Sequence, residues 1–433
     1  MTKITFMGAG STVFARQLMT DILCIDGLQE GTFALVDIDA ERLELAHKIA
    51  EKLVAHSGLN WKVESSTQRR EVLPGTDFLI NTIEVAGMAN VRHDFDIPMK
   101  YGVDQCIGDT IGPGGIFKAL RTGPAWLEIL HDAEELCPKA LVLNYTNPMS
   151  ILTYAALTGT TMKTVGLCHS VQGTSKQLAT YLDVPYEELE WRCAGINHNA
   201  WFTVLRHNGE DMYPRLRERM NDPEVYEKDP VRLEIMKYLG AFVTESSGHF
   251  SEYVPYFRKR PELIEKYCRP GYLGETGFYA NNWPTWRAKN EQYIKDLLDG
   301  TKELPFKRSH EYGSDIIEAV TQHRTKVIYG NVRNEGLIDN LPDGCVEVAC
   351  LVDRNGIQPT HFGKLPEQLA ALNKAHMSVH SLVTEALFTH DKEAARYALM
   401  IDPLTAAVCS PAEISSLFDE LWEAQREYLQ PFA

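Results

Sequence analysis

The sequence predicts an α/β protein, with an N-terminal Rossmann-like, doubly wound parallel sheet followed by a second, helix-rich α+β domain. Short apolar runs at 3–7, 33–37, 77–83, 140–145 and 164–168 alternate with longer helix-patterned stretches, which is the rhythm of βαβ units. The first run breaks at Gly8-Ala-Gly10 and passes directly into a helix-patterned segment. Beyond about residue 200 the polar segments lengthen, notably at 207–232 and 257–310, and helical spacing takes over. A chain of 433 residues exceeds the usual size of one domain, and the change of pattern divides it into two parts, 1–195 and 196–433.

Taken in order, Lys3 to Met7 is the first strand, and Phe14 to Leu23 is the helix after the glycine turn. The second strand, Phe33 to Asp39, ends in acids. Ala119 to Glu135 carries Leu120, Trp126, Leu127, Ile129 and Leu130 among charges and reads as a helix covering the sheet, with Pro138 marking its end. Near the C-terminus Ile414, Leu417, Phe418, Leu421 and Trp422 share one helical face, a stripe that core packing explains.

Composition excludes several function classes. With 43 Lys+Arg against 59 Asp+Glu the net charge is −16, which repels phosphate backbones and anionic lipid, so neither nucleic acid nor membrane is an expected partner. No apolar run approaches the ~18 residues of a membrane span. Met-Thr-Lys leads straight into the first strand, leaving no room for an export signal, and a cytoplasmic protein is expected. Nine cysteines, an odd number without a CxxC pair, argue for reduced thiols rather than a disulfide framework.

A strand running into Gly8-x-Gly10-Ser11 and then a helix suits a dinucleotide. The glycines allow a tight turn and close approach to a pyrophosphate, and the helix start offers free N–H groups. Val13 occupies the third glycine position, so the fingerprint is incomplete. Asp37, 27 residues after Gly10, supplies the acid that would accept from adenosine ribose hydroxyls and favour NAD over NADP. The bland alternative is a turn that merely joins strand to helix.

Two more strand ends carry polar groups where ligands of open α/β sheets bind, Asn144 to Met149 and Gly166 to Val171. Cys193 to Asn199 follows and places His198 30 residues after Cys168. A thiolate and an imidazole can hold an open divalent site. Spacing alone, however, favours a buried thiol and a hydrogen-bonded core histidine.

A wider set of motifs bears on that choice: Gly8-Ala-Gly10-Ser11, Gly108-Asp109-Thr110-x-Gly-Pro-Gly-Gly115, Asn147-Pro148-Met149, Cys168-His-Ser-Val171, Gly195-Ile-Asn-His198, and Gly330-Asn331-Val-Arg333-Asn334 through Pro342. In this order, over nearly the whole chain, they resemble glycoside hydrolase family 4, and the Cys-His-Ser-Val version is similar to its α-galactosidase (melibiase) branch. The family stands outside the usual two-carboxylate glycosidase scheme.

The resemblance implies a glycosidase that oxidises the sugar at C3 with NAD⁺, removes the C2 proton, eliminates the C1 leaving group, adds water and returns the hydride, with no net use of cofactor. It implies a divalent metal, usually Mn²⁺, on Cys168 and His198, and a sugar contact at Asn147. His169 takes the place of the acid toward the leaving group, or of a supporting donor. Tyr253 is favoured as the C2 base, with Tyr256 next, and each could instead be core packing. Asp109 and Arg333 either face the sugar or anchor loops. The implied substrate is a small carbohydrate, an α-galactoside first and an α-galacturonide or α-glucoside otherwise, and the implied assembly is a homodimer or homotetramer. The competing readings are an NAD-dependent 2-hydroxy acid dehydrogenase, whose His–Asp pair is not found in the sequence, and a non-catalytic NAD-sensing module.

Overall fold

The computed structural model describes residues 1–432. The strands are β1 (Thr2–Met7), β2 (Glu30–Val36), β3 (Asn60–Ser66), β4 (Phe78–Asn81), β5 (Leu141–Asn144), β6 (Lys163–Leu167), β7 (Leu189–Ile196), β8 (Asn199–His207), β9 (Glu210–Asp211), β10 (Phe242–Val243), β11 (Lys326–Arg333), β12 (Cys345–Asp353) and β13 (Gly356–Pro359). They join in one 13-stranded sheet ordered β10-β8-β7-β12-β11-β6-β5-β4-β1-β2-β3, with β13 on β12 and β9 on β8.

The stretch β3-β2-β1-β4-β5-β6 is parallel throughout and has the doubly wound order. Its inner strands are apolar on both faces, as a sheet covered on both sides requires, whereas β3 at the edge is largely polar. Ile4, Phe6, Phe33, Leu35 and Ile80 enter one core, where Leu18 and Ile22 of helix Thr12–Leu23 meet them. Met7, Ala34, Val36 and Leu79 enter the other, under Trp126 and Leu130 of helix Gly112–Leu136. Burying one such side chain contributes about 1.5–3 kcal/mol, so both faces of the inner strands stabilise the sheet.

Past β6 the sheet continues in antiparallel fashion through β11, β12, β7, β8 and β10. The second half of the chain therefore extends the first sheet. Its C-terminal helix, Pro411–Ala424, starts on a Ser410–Glu413 capping box and buries Ile414, Leu417, Phe418 and Leu421 against Phe117 and Leu120 of helix Gly112–Leu136. Helix Phe278–Asp299 lies across the N-terminal part, with Ile294 and Leu297 beside Val13 and Ile49, and Ala280 beside Val91 and Phe95.

Two boundaries differ from the sequence reading. The helix expected from Ala119 begins at Gly112, because Pro113 in its first turn has no N–H to leave unpaired, and so Gly112, Gly114 and Gly115 are helical rather than loop. β2 ends at Val36 instead of Asp39, because Asp39 caps the next helix by accepting from the N–H groups of Glu41 and Arg42.

Candidate active site

The glycine turn and the polar strand ends open into one cavity of about 1300 Å³, larger than the ~300–1,000 Å³ of a single small-molecule site. At one end Gly8 has φ +81°, and a Cβ there would meet the Thr82 carbonyl carbon at 2.7 Å. A Cβ on Gly10 would sit 2.5 Å from Asp37 Oδ2. Both positions thus require glycine for local packing before any ligand is considered. Asp37 accepts from the Gly10 N–H at 2.7 Å through Oδ2 and from the Asp39 N–H at 3.0 Å through Oδ1. Ser11 precedes helix Thr12–Leu23 and lines the cavity with Gly8 and Asp37.

At the other end stand Asp109, Asn147, Cys168, His169 and His198. Cys168 follows β6, and His198 makes the turn between β7 and β8 in the left-handed region, at φ 62°. The Cys168 Sγ lies 3.1 Å from His198 Nε2. Burial works to raise the Cys168 thiol, but the adjoining imidazole outweighs it and draws the thiol down. Burial likewise works to lower His198, and Cys168 and Glu245 outweigh it to push that ring up. Each group thus favours the charged form of the other, and a divalent cation held by both would displace the ring proton.

Glu245, also in the left-handed region at φ 74°, completes the group: one donor atom each from Cys168, His198 and Glu245 lies within 4.8 Å of the others. A thiolate, an imidazole and a carboxylate form a donor set that suits a first-row divalent ion. Behind them His198 Nδ1 is 3.0 Å from His249 Nε2, and His249 Nδ1 is 3.0 Å from Glu252 Oε2. Glu252 accepts in turn from the N–H groups of Cys106 and Ile107, and from that of Gly108 at 3.2 Å. This carboxylate–histidine–histidine chain orients the ring as second-layer partners do in metal sites. It also ties that ring to the loop carrying Asp109.

Asp109 accepts from Asn147 Nδ2 at 3.2 Å and lies 3.5 Å from Lys118 Nζ, which in turn lies 2.9 Å from Glu84. Burial favours a neutral Lys118, but Glu84 and Asp109 outweigh it and keep the amine charged. Burial also acts to raise Asp109, and Lys118 then His249 hold it below its ordinary value. The result is a cluster of fixed charges and amide dipoles, the kind of lining that recognises hydroxyl groups. His169, just before helix Ser170–Leu182, is 2.7 Å from Glu311 Oε1, a contact that raises its pKa.

Four of the expected site residues stand apart from the cavity lining, the first being Gly10, whose N–H is turned to Asp37. Tyr253 is buried, with its hydroxyl 3.4 Å from His198 Nδ1. Tyr256 is 43% exposed and packs edge-on against Phe257. Arg333 pairs with Asp343 at 3.0 and 2.7 Å, outside the cavity. Sequence reasoning passed over Glu245, His249, Glu252, Lys118, Glu84 and Glu311. Glu245, His249 and Glu252 all lie just ahead of Tyr253 in the chain, and that clustering of ligand-type side chains is the signal the sequence offers there.

A doubly wound sheet whose glycine turn and metal-capable donor group share one cavity defines a Rossmann-type protein built to bring a dinucleotide and a metal ion to one small molecule. The chain belongs to family 4 of the glycosyl hydrolases: residues 3–184 match the family 4 glycosyl hydrolase model and residues 193–405 match the model of its C-terminal domain. It is 42% identical to an α-galactosidase of Bacillus subtilis (strain 168) over all of both chains, and 37% identical to an α-galactosidase of Rhizobium meliloti (strain 1021) over all of this chain and 90% of the relative. The fold superposes with TM-score 0.78 on a 6-phospho-β-glucosidase of Thermotoga maritima solved with manganese, NAD⁺ and glucose-6-phosphate, at 22% identity and 99% coverage of both chains.

Proposed function

We propose that this chain is an NAD⁺- and divalent-metal-dependent α-galactosidase that cleaves its glycosidic bond by transient oxidation at C3, deprotonation at C2, elimination and addition of water. The observation that carries the reading is the common cavity of the Gly8–Gly10 turn and the Cys168–His198 pair, which lets one sugar meet both. When bound, NAD⁺ supplies reversible oxidation at C3, and the metal ion, Mn²⁺ first, supplies Lewis-acid stabilisation of charge on the sugar oxygens. The galactoside class is supported by the two full-length relatives that bear that name.

In this reading Gly8, Gly10, Ser11 and Asp37 hold the dinucleotide, and Cys168 and His198 hold the metal. Asp109 and Asn147, already bonded to each other at 3.2 Å, orient the sugar hydroxyls. His169, paired with Glu311, delivers a proton from its ring to the leaving oxygen at C1. Tyr253, expected from the sequence as the C2 base, acts instead through His198 as a positioning residue, its hydroxyl 3.4 Å from Nδ1, and the C2 proton passes to water in the cavity. Residues 1–195 carry the nucleotide part and 196–433 contribute the remaining walls. The protein works in the cytoplasm as a homodimer or homotetramer; its nine free cysteines suit a reducing compartment, and no helix among the described residues is long and apolar enough to cross a membrane.

The test is an assay on an aryl α-galactoside with and without NAD⁺ and Mn²⁺ under reducing conditions, with NADH absorbance followed throughout. Aryl release that needs both additions, without accumulating NADH, is expected. NADH rising in proportion to product would instead establish a dehydrogenase. Turnover of only an α-galacturonide or an α-glucoside would keep the mechanism and change the substrate.

A further inference from the structure

The geometry points to Glu245 as a third protein ligand of the divalent ion, one that lets the site take up metal before any sugar arrives and turns its preference toward oxygen-seeking ions. This deepens the reading above and rests on Cys168 and His198 being ligands.

His198 Nε2 is 3.1 Å from Cys168 Sγ and 3.7 Å from Glu245 Oε2. Ligands at roughly 2.3 Å for sulfur and roughly 2.0–2.2 Å for nitrogen and oxygen stand about 3–3.7 Å apart around a single ion at angles between 90° and 120°. Both separations fit. Other contacts on Glu245 and His198 lead away from the common point: Glu245 Oε1 accepts from the Tyr272 hydroxyl, and His198 Nδ1 is engaged by His249. Oε2 thus faces Nε2, Nε2 also meets the sulfur, and one donor atom from each of the three residues lies within 4.8 Å of the others.

The chain also fixes Glu245 from behind. Its backbone carbonyl accepts from Arg232, whose guanidinium is buried and held by Asp229, Thr174 and Gln177. A left-handed φ on a glutamate is strained, and this clamp maintains it. Two anionic donors and one neutral imidazole match a dication in charge. Thiolate and imidazole alone would favour Zn²⁺ and softer ions, and a carboxylate with open positions left for sugar oxygens shifts the set toward Mn²⁺.

The experiment is equilibrium binding of Mn²⁺ to the full chain without nucleotide or sugar, read from the free-Mn²⁺ EPR signal, with Zn²⁺ as competitor. Quenching of tryptophan fluorescence by NAD⁺ serves as the folding control, since Trp283 and Trp286 line the cavity. Glu245→Gln is expected to weaken Mn²⁺ binding at least tenfold and Zn²⁺ binding less, with NAD⁺ binding retained. Glu245→Asp, which keeps the charge and withdraws the oxygen, should fall between, and it replaces the glutamine variant if that one fails the folding control. Mn²⁺ affinity unchanged in both variants overturns the assignment of Glu245 and leaves Cys168 and His198 as the ligands. A wild-type chain that takes up no Mn²⁺ until sugar is added overturns the inference alone, and one that takes up none even then overturns the metal reading with it.

Discussion

The hydroxyl of Tyr253 meets His198 at Nδ1, 3.4 Å away, while the Cys168 thiol meets the same ring at Nε2. The phenol therefore stands behind the imidazole rather than beside the ligands' open side. Burial, then the charges of Glu245 and Asp109, pushes that phenol well above its ordinary value, which keeps it protonated and disfavours the phenolate that would have to accept the C2 proton. Removal of a general base costs about 10²–10⁴ in rate, whereas loss of one orienting contact costs far less. Tyr253→Phe should lower kcat no more than about tenfold and leave the rate of C2 proton exchange with solvent within that factor. A loss of about a thousandfold, with exchange abolished, would make Tyr253 the base after all.

Cys168 is the thiol with a specific partner at the strand ends, and its replacement separates ligand from bystander. Cys168→Ser keeps the size of the side chain and loses the thiolate. If the sulfur holds the metal, Mn²⁺ affinity and activity should fall together by at least about 100-fold, the upper end of what second-layer partners alone are worth. Mild oxidation of the wild type should do the same, reversibly with dithiothreitol up to the sulfenic stage. An oxidised protein that keeps its metal would remove Cys168 from the site.

The leaving-group role of His169 predicts a dependence on substrate chemistry. A nitrophenolate needs little protonation to depart, whereas a sugar alkoxide needs almost full protonation. His169→Asn should thus slow an unactivated α-galactoside by about 10²–10⁴ and a nitrophenyl one by only a few fold. Equal losses on both would reduce the ring, 2.7 Å from Glu311, to a supporting donor.

The nucleotide end was legible because its parts are local: strand, glycines, helix and acid follow one another along the chain. Even there the sequence argued for Gly10 from the approach of a pyrophosphate, and the structure adds the approach of Asp37. Cys168 and His198 were legible only through the family pattern, since the sheet brings them together across β6, β11, β12 and β7. Glu245 and His249 escaped because their segment reaches the site through long-range packing that no periodicity encodes. The motif around Arg333 is largely structural: Asn331 donates to the Gly166 carbonyl at 3.3 Å, and Asn334 donates to the carbonyls of Ile338, Leu341 and Pro342 at 3.2, 3.0 and 2.9 Å. Side-chain chemistry at loop anchors and at binding sites looks alike in sequence, and only the fold separates them.

A last prediction concerns acid stability. His376 and His380 sit on one face of helix Glu367–Thr389 in the core, the first donating from Nε2 to the Tyr253 carbonyl at 2.6 Å. Burial, then the neighbouring His376, lowers His380 to about 3, so it folds neutral. In the unfolded chain it titrates near the ordinary histidine value of about 6.5. Between those two values the unfolded state binds the proton and the folded state does not, so stability is full above pH 6.5 and is lost as pH falls toward 3. From pH 7.5 to pH 5 this one group should remove about 2 kcal/mol, since each unit past its unfolded value is worth about 1.4 kcal/mol. His380→Gln should cost stability at neutral pH, through imperfect packing, and flatten the slope below pH 6.5 by that amount in urea titrations. A variant with the wild-type slope would mean that His380 takes up its proton without unfolding, and that the acid sensitivity lies in other groups.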